Sequence, residues 1–169
     1  MTEVLEGRPV PDFEAAATGD QTIRLSELQG KNVVLYFYPK DNTPGCTLEG
    51  QDFRDHYSEF QALNCIVLGV SRDSVRVHEN FKAKQAFPFD LLSDPDEQLC
   101  ELFDVMKMKT LYGKKVRGIE RSTFLVDKEG KLAYAWRKVK VKGHVEVVLE
   151  KLTELERNGG ATSHDAGTK

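Results

Sequence analysis

Long apolar runs are missing from this sequence; the longest falls far short of the ~18 residues that cross a bilayer, which argues against a membrane protein. The first residues, Met1-Thr2-Glu3-Val4, are acidic and lack a basic region followed by an apolar segment, so no secretory signal is expected. Cysteine is scarce: Cys46, Cys65 and Cys100 are widely separated and odd in number, which is no disulfide framework. No Cys-x-x-Cys occurs, which counts against a disulfide oxidoreductase. Together these absences point to a reducing cytoplasm. The histidines, His56, His78, His144 and His164, show no metal-ligand spacing. Asp94-Pro95-Asp96 reads as a helix start, and no glycine-rich phosphate fingerprint follows any predicted strand. Neither metal nor cofactor is expected.

What is present describes a soluble globular chain. Of 169 residues, 40% are apolar and 30% charged, enough for one ordinary domain with a core. Net charge is −3, unevenly spread. Residues 1–104 carry 9 basic and 19 acidic side chains, and residues 105–157 carry 14 and 7. A basic half can mark a nucleic-acid surface. Here aromatic residues do not interleave with the charges as a single-strand groove requires, and Lys138-Val139-Lys140-Val141-Lys142 alternates like a strand with one wet face. Nucleic-acid binding is not expected.

Periodicity places a hairpin turn at Thr18–Gln21 and a single helical turn at Ser26–Gly30. Asn32–Tyr38 and Cys65–Ser71 are apolar runs that read as buried strands. A helix from Thr43 carries Cys46, Phe53, Tyr57 and Phe60 on one face, and Ser74 caps another through Gln85 with Val77 and Phe81 inward. Phe89–Leu92 is a short strand. Asp94 and Pro95 open a helix with Leu99, Cys100 and Phe103. Met106–Glu120 shows no clean period and reads as an extended loop. Ser122–Val126 and Leu132–Val139 pair across a turn at Lys128–Lys131. A helix spans Gly143–Arg157 and a small, polar, disordered tail follows over 158–169. Strands alternating with helices argue for a single α/β domain, 1–157, with a mixed central sheet and helices on both faces.

Chemistry concentrates in one stretch, Tyr38-Pro39-Lys40-Asp41-Asn42-Thr43-Pro44-Gly45-Cys46-Thr47-Leu48-Glu49. Thr43 is placed as N-cap and Pro44 at the first helical position, where its missing N–H costs nothing. Cys46 then lies among unpaired N–H groups at the positive end of the helix dipole, and both features favour thiolate over thiol. The Thr43 hydroxyl is expected to cap the helix and to approach the sulfur. Pro39 stiffens the loop that walls the site.

These residues carry a resemblance. Pro39-x-x-x-Thr43-x-x-Cys46, and more narrowly Thr43-Pro44-Gly45-Cys46-Thr47-x-Glu49, resembles the active-site loop of peroxiredoxins, most closely the peroxiredoxin Q (bacterioferritin comigratory protein) subgroup. Arg121-Ser122-Thr123-Phe124-Leu125-Val126-Asp127 is similar to that family's arginine-bearing strand. The resemblance implies a thioredoxin-like fold and a thiol peroxidase in which Cys46 attacks peroxide and Arg121 reaches its sulfur. It further implies a reductant, thioredoxin or a small thiol. Glu49 is a candidate to buttress the arginine. Many members of the subgroup carry a resolving cysteine five residues after the first; here that position is Gln51. Cys65 heads a buried strand. Cys100 is left as a possible resolver, although a one-cysteine cycle is favoured, and a monomer is expected. A thiol hydrolase, which would need a histidine beside Cys46, and a non-cycling redox sensor stand as alternatives.

Overall fold

The computed structural model describes residues 4–165, with side chains through Asn158. Strands β1 (Glu14–Ala17) and β2 (Gln21–Arg24) form the first hairpin, followed by a 3-10 turn at Leu25–Leu28. Then come β3 (Asn32–Phe37), α1 (Pro44–Asp55), α2 (Tyr57–Ala62), β4 (Cys65–Ser71) and α3 (Val75–Gln85). The second half holds β5 (Asp90–Ser93), α4 (Gln98–Leu102), β6 (Met106–Leu111), β7 (Lys114–Ile119), β8 (Ser122–Val126), β9 (Leu132–Trp136) and α5 (His144–Asp165). Seven strands make one mixed sheet in the order β2-β1-β5-β4-β3-β8-β9, with β3, β4 and β5 parallel. No described helix is long and apolar enough to cross a membrane.

β3 is central because every residue in it is buried, as a strand covered on both faces requires. Successive side chains point to opposite faces. Val33, Leu35 and Phe37 therefore enter one core with Leu68, Phe124 and, from α4, Leu99 and Cys100. Val34, Tyr36 and Tyr38 enter the other with Cys46 and Phe53 of α1, Phe60 of α2, Phe81 of α3 and Val148 of α5. The β3 carboxyl end delivers the chain directly to the loop before α1. Antiparallel β8 starts at that same edge, with Ser122 opposite Phe37.

Several sequence expectations need correction. Met106–Glu120 is not a loop: β6 and β7 form a separate antiparallel ribbon closed by Tyr112 and Gly113, both at positive φ. Their two-residue turn is the kind that matches strand twist. The ribbon escapes a search for apolar periodicity because most of its residues are exposed. Lys138–Lys142, in contrast, lies outside any strand, and β9 ends at Trp136. The helix from Thr43 is two helices, separated by His56, whose ring nitrogen bonds the Asp52 carbonyl at 2.8 Å. On α3 the buried pair is His78 and Phe81, while Val77 faces outward. Positions 77 and 78 both share a helix face with Phe81; polar partners for His78 decide between them. α4 begins at Gln98, later than expected, with the Asp94 carboxylate accepting from the Leu99 and Cys100 N–H groups. α5 runs to Asp165; the remaining residues of the expected tail, 166–169, lie outside the described residues.

Candidate active site

α1 starts where the sequence places it, with Thr43 extended (φ −92°, ψ 153°) and Pro44 in the first turn. The Thr43 carbonyl accepts the first helical bond, from Thr47 N–H at 2.9 Å. Its hydroxyl, however, does not cap the helix; it donates to the Lys40 carbonyl at 2.8 Å. No side chain among the described residues caps α1, so its first-turn N–H groups stay directed at the space before Cys46. Pro39 is half-buried at the start of the loop.

Cys46 is 2% exposed. Arg121, from the residue before β8, brings Nη2 to 3.5 Å from its Sγ and Nη1 to 2.6 Å from Glu49 Oε1. One guanidinium fork thus spans a thiol and a carboxylate one helical turn apart. Gly45 permits this approach: a Cβ there would stand 3.1 Å from Arg121 Nη2. Burial works against the Arg121 charge, but Glu49 and Cys46 outweigh it and hold its pKa above the ordinary arginine value.

Glu49 is fully buried, and its second oxygen, Oε2, has no partner among the described residues. Burial pushes its pKa up from 4.5 to about 7, with Arg121 opposing the rise. A raised carboxyl pKa means the folded state holds that proton more tightly than the unfolded chain. Its contribution to stability is complete below about 4.5 and is lost as pH rises through about 7. Glu49→Gln removes this dependence. Urea unfolding from pH 5 to 8 should therefore show wild type losing stability relative to Glu49→Gln, by up to about 1.4 kcal/mol per pH unit inside the window. A constant difference across that range would contradict the assignment.

The loop before Cys46 is held by a network that spacing did not reveal. Asp41, 3% exposed, accepts from the Tyr38 hydroxyl at 2.6 Å and meets His78 Nδ1 at 2.6 Å. His78 Nε2 donates to the Leu92 carbonyl at 2.8 Å. The Asp41 N–H donates to Asp73 Oδ2 at 2.9 Å, an oxygen that also accepts from Ser71 at 2.6 Å. Asp41, Asp73 and His78 are metal-ligand types with atoms within 4.8 Å of one another. Both Asp41 oxygens and both His78 nitrogens already have partners, so the group acts as a clamp on the loop.

The loop that carries Cys46, the arginine and the buried glutamate therefore converge at the carboxyl end of β3. The AhpC/TSA family model matches residues 7–135. Peroxiredoxin Bcp of Bacillus subtilis is 51% identical over 149 residues, covering 88% of this chain and 95% of that protein. The chain belongs to the AhpC/TSA family, in its peroxiredoxin Q branch. Peroxiredoxin Q of Xanthomonas campestris superposes with a TM-score of 0.84 at 50% identity, covering 92% of this chain and 99% of that one. A second structure, of the Xanthomonas campestris bacterioferritin comigratory protein, concerns its alkyl peroxide reduction; it matches at 51% identity, with a TM-score of 0.82 and coverage of 85% and 92%. The fold is thioredoxin-like, as the resemblance implies, and this peroxiredoxin is a thiol-dependent peroxidase.

The other candidates lie elsewhere in this peroxiredoxin. All three cysteines are buried and free. Cys65 opens β4 opposite Asn32, at the far end of β3 from the site, roughly 17 Å along the strand at ~3.3 Å per residue. Cys100 belongs to the core on the opposite face of the sheet from Cys46. Burial pushes both thiols well above the usual range, and Asp94 adds to the rise at Cys100. Gln51 bonds the Gln85 side chain at 2.9 Å. The described histidine rings bond other groups: His56 the Asp52 carbonyl, His78 Asp41 and Leu92, and His144 the Thr123 hydroxyl at 2.8 Å. His144 is held neutral, with its pKa lowered to about 4 by burial and then by Arg121. None bonds Cys46, so the described residues do not supply a hydrolase pair.

Proposed function

We propose that Cys46 is the peroxidatic nucleophile and that its cycle uses one cysteine. The Cys46 thiolate attacks one peroxide oxygen in line with the O–O bond. That bond breaks, sulfur takes the oxygen as a sulfenic acid, and the departing oxygen leaves as water or an alcohol after gaining a proton. The observation that carries this reading is Arg121 Nη2 at 3.5 Å from Cys46 Sγ while Nη1 is fixed by Glu49. The cation is thereby preorganised where negative charge moves from sulfur to oxygen. Thr43 has spent its only hydroxyl proton on Lys40, so towards peroxide it serves as an acceptor that orients the O–H. Pro39 walls the pocket, and the uncapped N–H groups of α1 supply further donors. Hydrogen peroxide and organic hydroperoxides both satisfy this arrangement.

An external thiol then attacks the sulfenic sulfur and releases water. A second thiol displaces Cys46 from the mixed disulfide, restoring it. Thioredoxin or a small thiol serves this role. The location of Cys100 across the sheet, of Cys65 at its other end and of Gln51 one turn along α1 supports a cycle without an internal partner. A disulfide needs Cα atoms within roughly 7 Å. The three free thiols suit a reducing cytoplasm, and the protein works as a monomer. Cys65→Ser and Cys100→Ser should each keep thiol-driven turnover within about twofold of wild type, apart from any packing cost. A peroxide-induced Cys46–Cys100 disulfide in non-reducing peptide maps, with cycling lost in Cys100→Ser, would make this a two-cysteine enzyme.

A further inference from the structure

The β6–β7 ribbon is poorly accounted for by the fold that carries it. It pairs with none of the seven strands of the main sheet, and a lone two-stranded ribbon is marginal in water. Between Met106 and Ile119 lie Lys107, Lys109, Lys114, Lys115 and Arg117 without a single acidic residue. Among these cations, apolar side chains stand in solvent: Met108 is 62% exposed, Leu111 55% and Tyr112, at the tip, 96%. Exposed apolar area rimmed by one sign of charge marks an interaction surface. Arg117 and Lys107 tie the ribbon to the body through Glu97 at 2.7 Å and Asp104 at 3.2 Å. Lys114, Lys115 and Tyr112 remain exposed.

Its position relates it to the chemistry. β7 ends at Ile119, two residues before Arg121, and β8 then enters the sheet opposite the carboxyl end of β3. The ribbon thus grows from the edge at which α1 presents Cys46. A cleft of about 970 Å³ at its base is lined by Phe103 and Met108, with Glu101, Asp104 and Arg137 among its polar walls, and reaches Glu120, the neighbour of Arg121. Every turnover of a one-cysteine cycle must bring a thiol to this end of the sheet, where Cys46 is 2% exposed.

We infer that the β6–β7 ribbon docks the protein that reduces oxidised Cys46, a thiol protein whose face around its thiol is acidic with an apolar centre. This rests on the one-cysteine reading above. The cations match the acidic rim, while the exposed Met108, Leu111 and Tyr112 receive the apolar centre. The partner thiol attacks the Cys46 sulfenic sulfur and expels water. Its second thiol then displaces Cys46 and leaves the partner as a disulfide, so the two electrons that reduced the peroxide come from the partner. Charge complementarity of this kind acts on encounter and on KM more than on chemistry.

The test uses the full chain with thioredoxin, thioredoxin reductase and NADPH as the probe, comparing wild type with a Lys114→Glu/Lys115→Glu double variant and with Tyr112→Ser. The double variant should raise the KM for thioredoxin about tenfold. Single-turnover oxidation of Cys46 by hydrogen peroxide and turnover driven by dithiothreitol should stay within about twofold, which also shows that the fold is intact. Raising salt from about 50 to about 500 mM should raise the wild-type KM and leave that of the double variant nearly flat. An unchanged KM in both variants overturns the docking surface while leaving the peroxidase reading intact. Wild type that cycles with dithiothreitol but not with thioredoxin overturns it as well, by removing the protein reductant. Sedimentation showing salt-sensitive self-association lost in the double variant would assign the ribbon to a second copy of this chain instead.

Discussion

A Cys46→Ser protein will fold and will not turn over peroxide. Cys46 is almost fully buried at the start of α1, and oxygen for sulfur is a small change in volume that the surrounding Tyr36, Phe53 and Arg121 tolerate. The chemistry does not survive it. A serine hydroxyl is not ionised at working pH and cannot take up a peroxide oxygen as a sulfenic acid, so kcat/KM should fall by at least about 10⁴-fold. The loss should be the same with any reductant, because the lost step precedes reduction. Circular dichroism and urea unfolding near wild type, with peroxide consumption at background, are the expected pair of results. Residual turnover close to wild type would remove Cys46 from the mechanism.

Arg121→Lys tests geometry apart from charge. The native guanidinium holds Glu49 at 2.6 Å through one nitrogen and Cys46 at 3.5 Å through the other. A lysine ammonium is a single point and does not reproduce that planar fork. It also leaves Glu49, already pushed up to about 7 by burial, without its bidentate-capable partner, so the carboxyl takes up a proton more readily still. Peroxide reduction should slow by about 10² to 10³-fold, the usual cost of losing one preorganised donor at developing charge. Reductant KM should change far less, because the donor acts on peroxide. Stopped-flow oxidation compared with steady-state reductant titration separates the two. An unchanged peroxide rate in Arg121→Lys would show that charge alone, or neither property, matters.

The parts of the fold legible in the sequence were those whose burial leaves a one-dimensional trace. β3 and β4 stand out because both faces are covered, so their runs are continuously apolar. α3 was bounded correctly because Ser74 accepts from Val77 N–H, a cap that spacing announces. The β6–β7 ribbon left no such trace, since exposed strands have no apolar face to alternate. Its Met-Lys-Met-Lys start and Tyr112-Gly113 turn were the signals present. Within the site, Cys46, Arg121 and Glu49 were legible through the motif resemblance. The Asp41–His78 clamp was not: its members lie 37 positions apart, and only the parallel packing of β3, β4 and β5 brings them together. Thr43 shows the limit of local rules. The N-cap position was right, but the Lys40 carbonyl competes for its hydroxyl and wins.

The most direct test of the central claim is intact mass and peptide mapping of the reduced protein after one equivalent of hydrogen peroxide, without added thiol. The expected result is a gain of about 16 Da, one oxygen, on the peptide containing Cys46, reversed by added thiol, with Cys65 and Cys100 unchanged. A loss of about 2 Da with a Cys46–Cys100 or Cys46–Cys65 crosslink would contradict the one-cysteine cycle. An unmodified Cys46 peptide after peroxide has been consumed would contradict the mechanism itself.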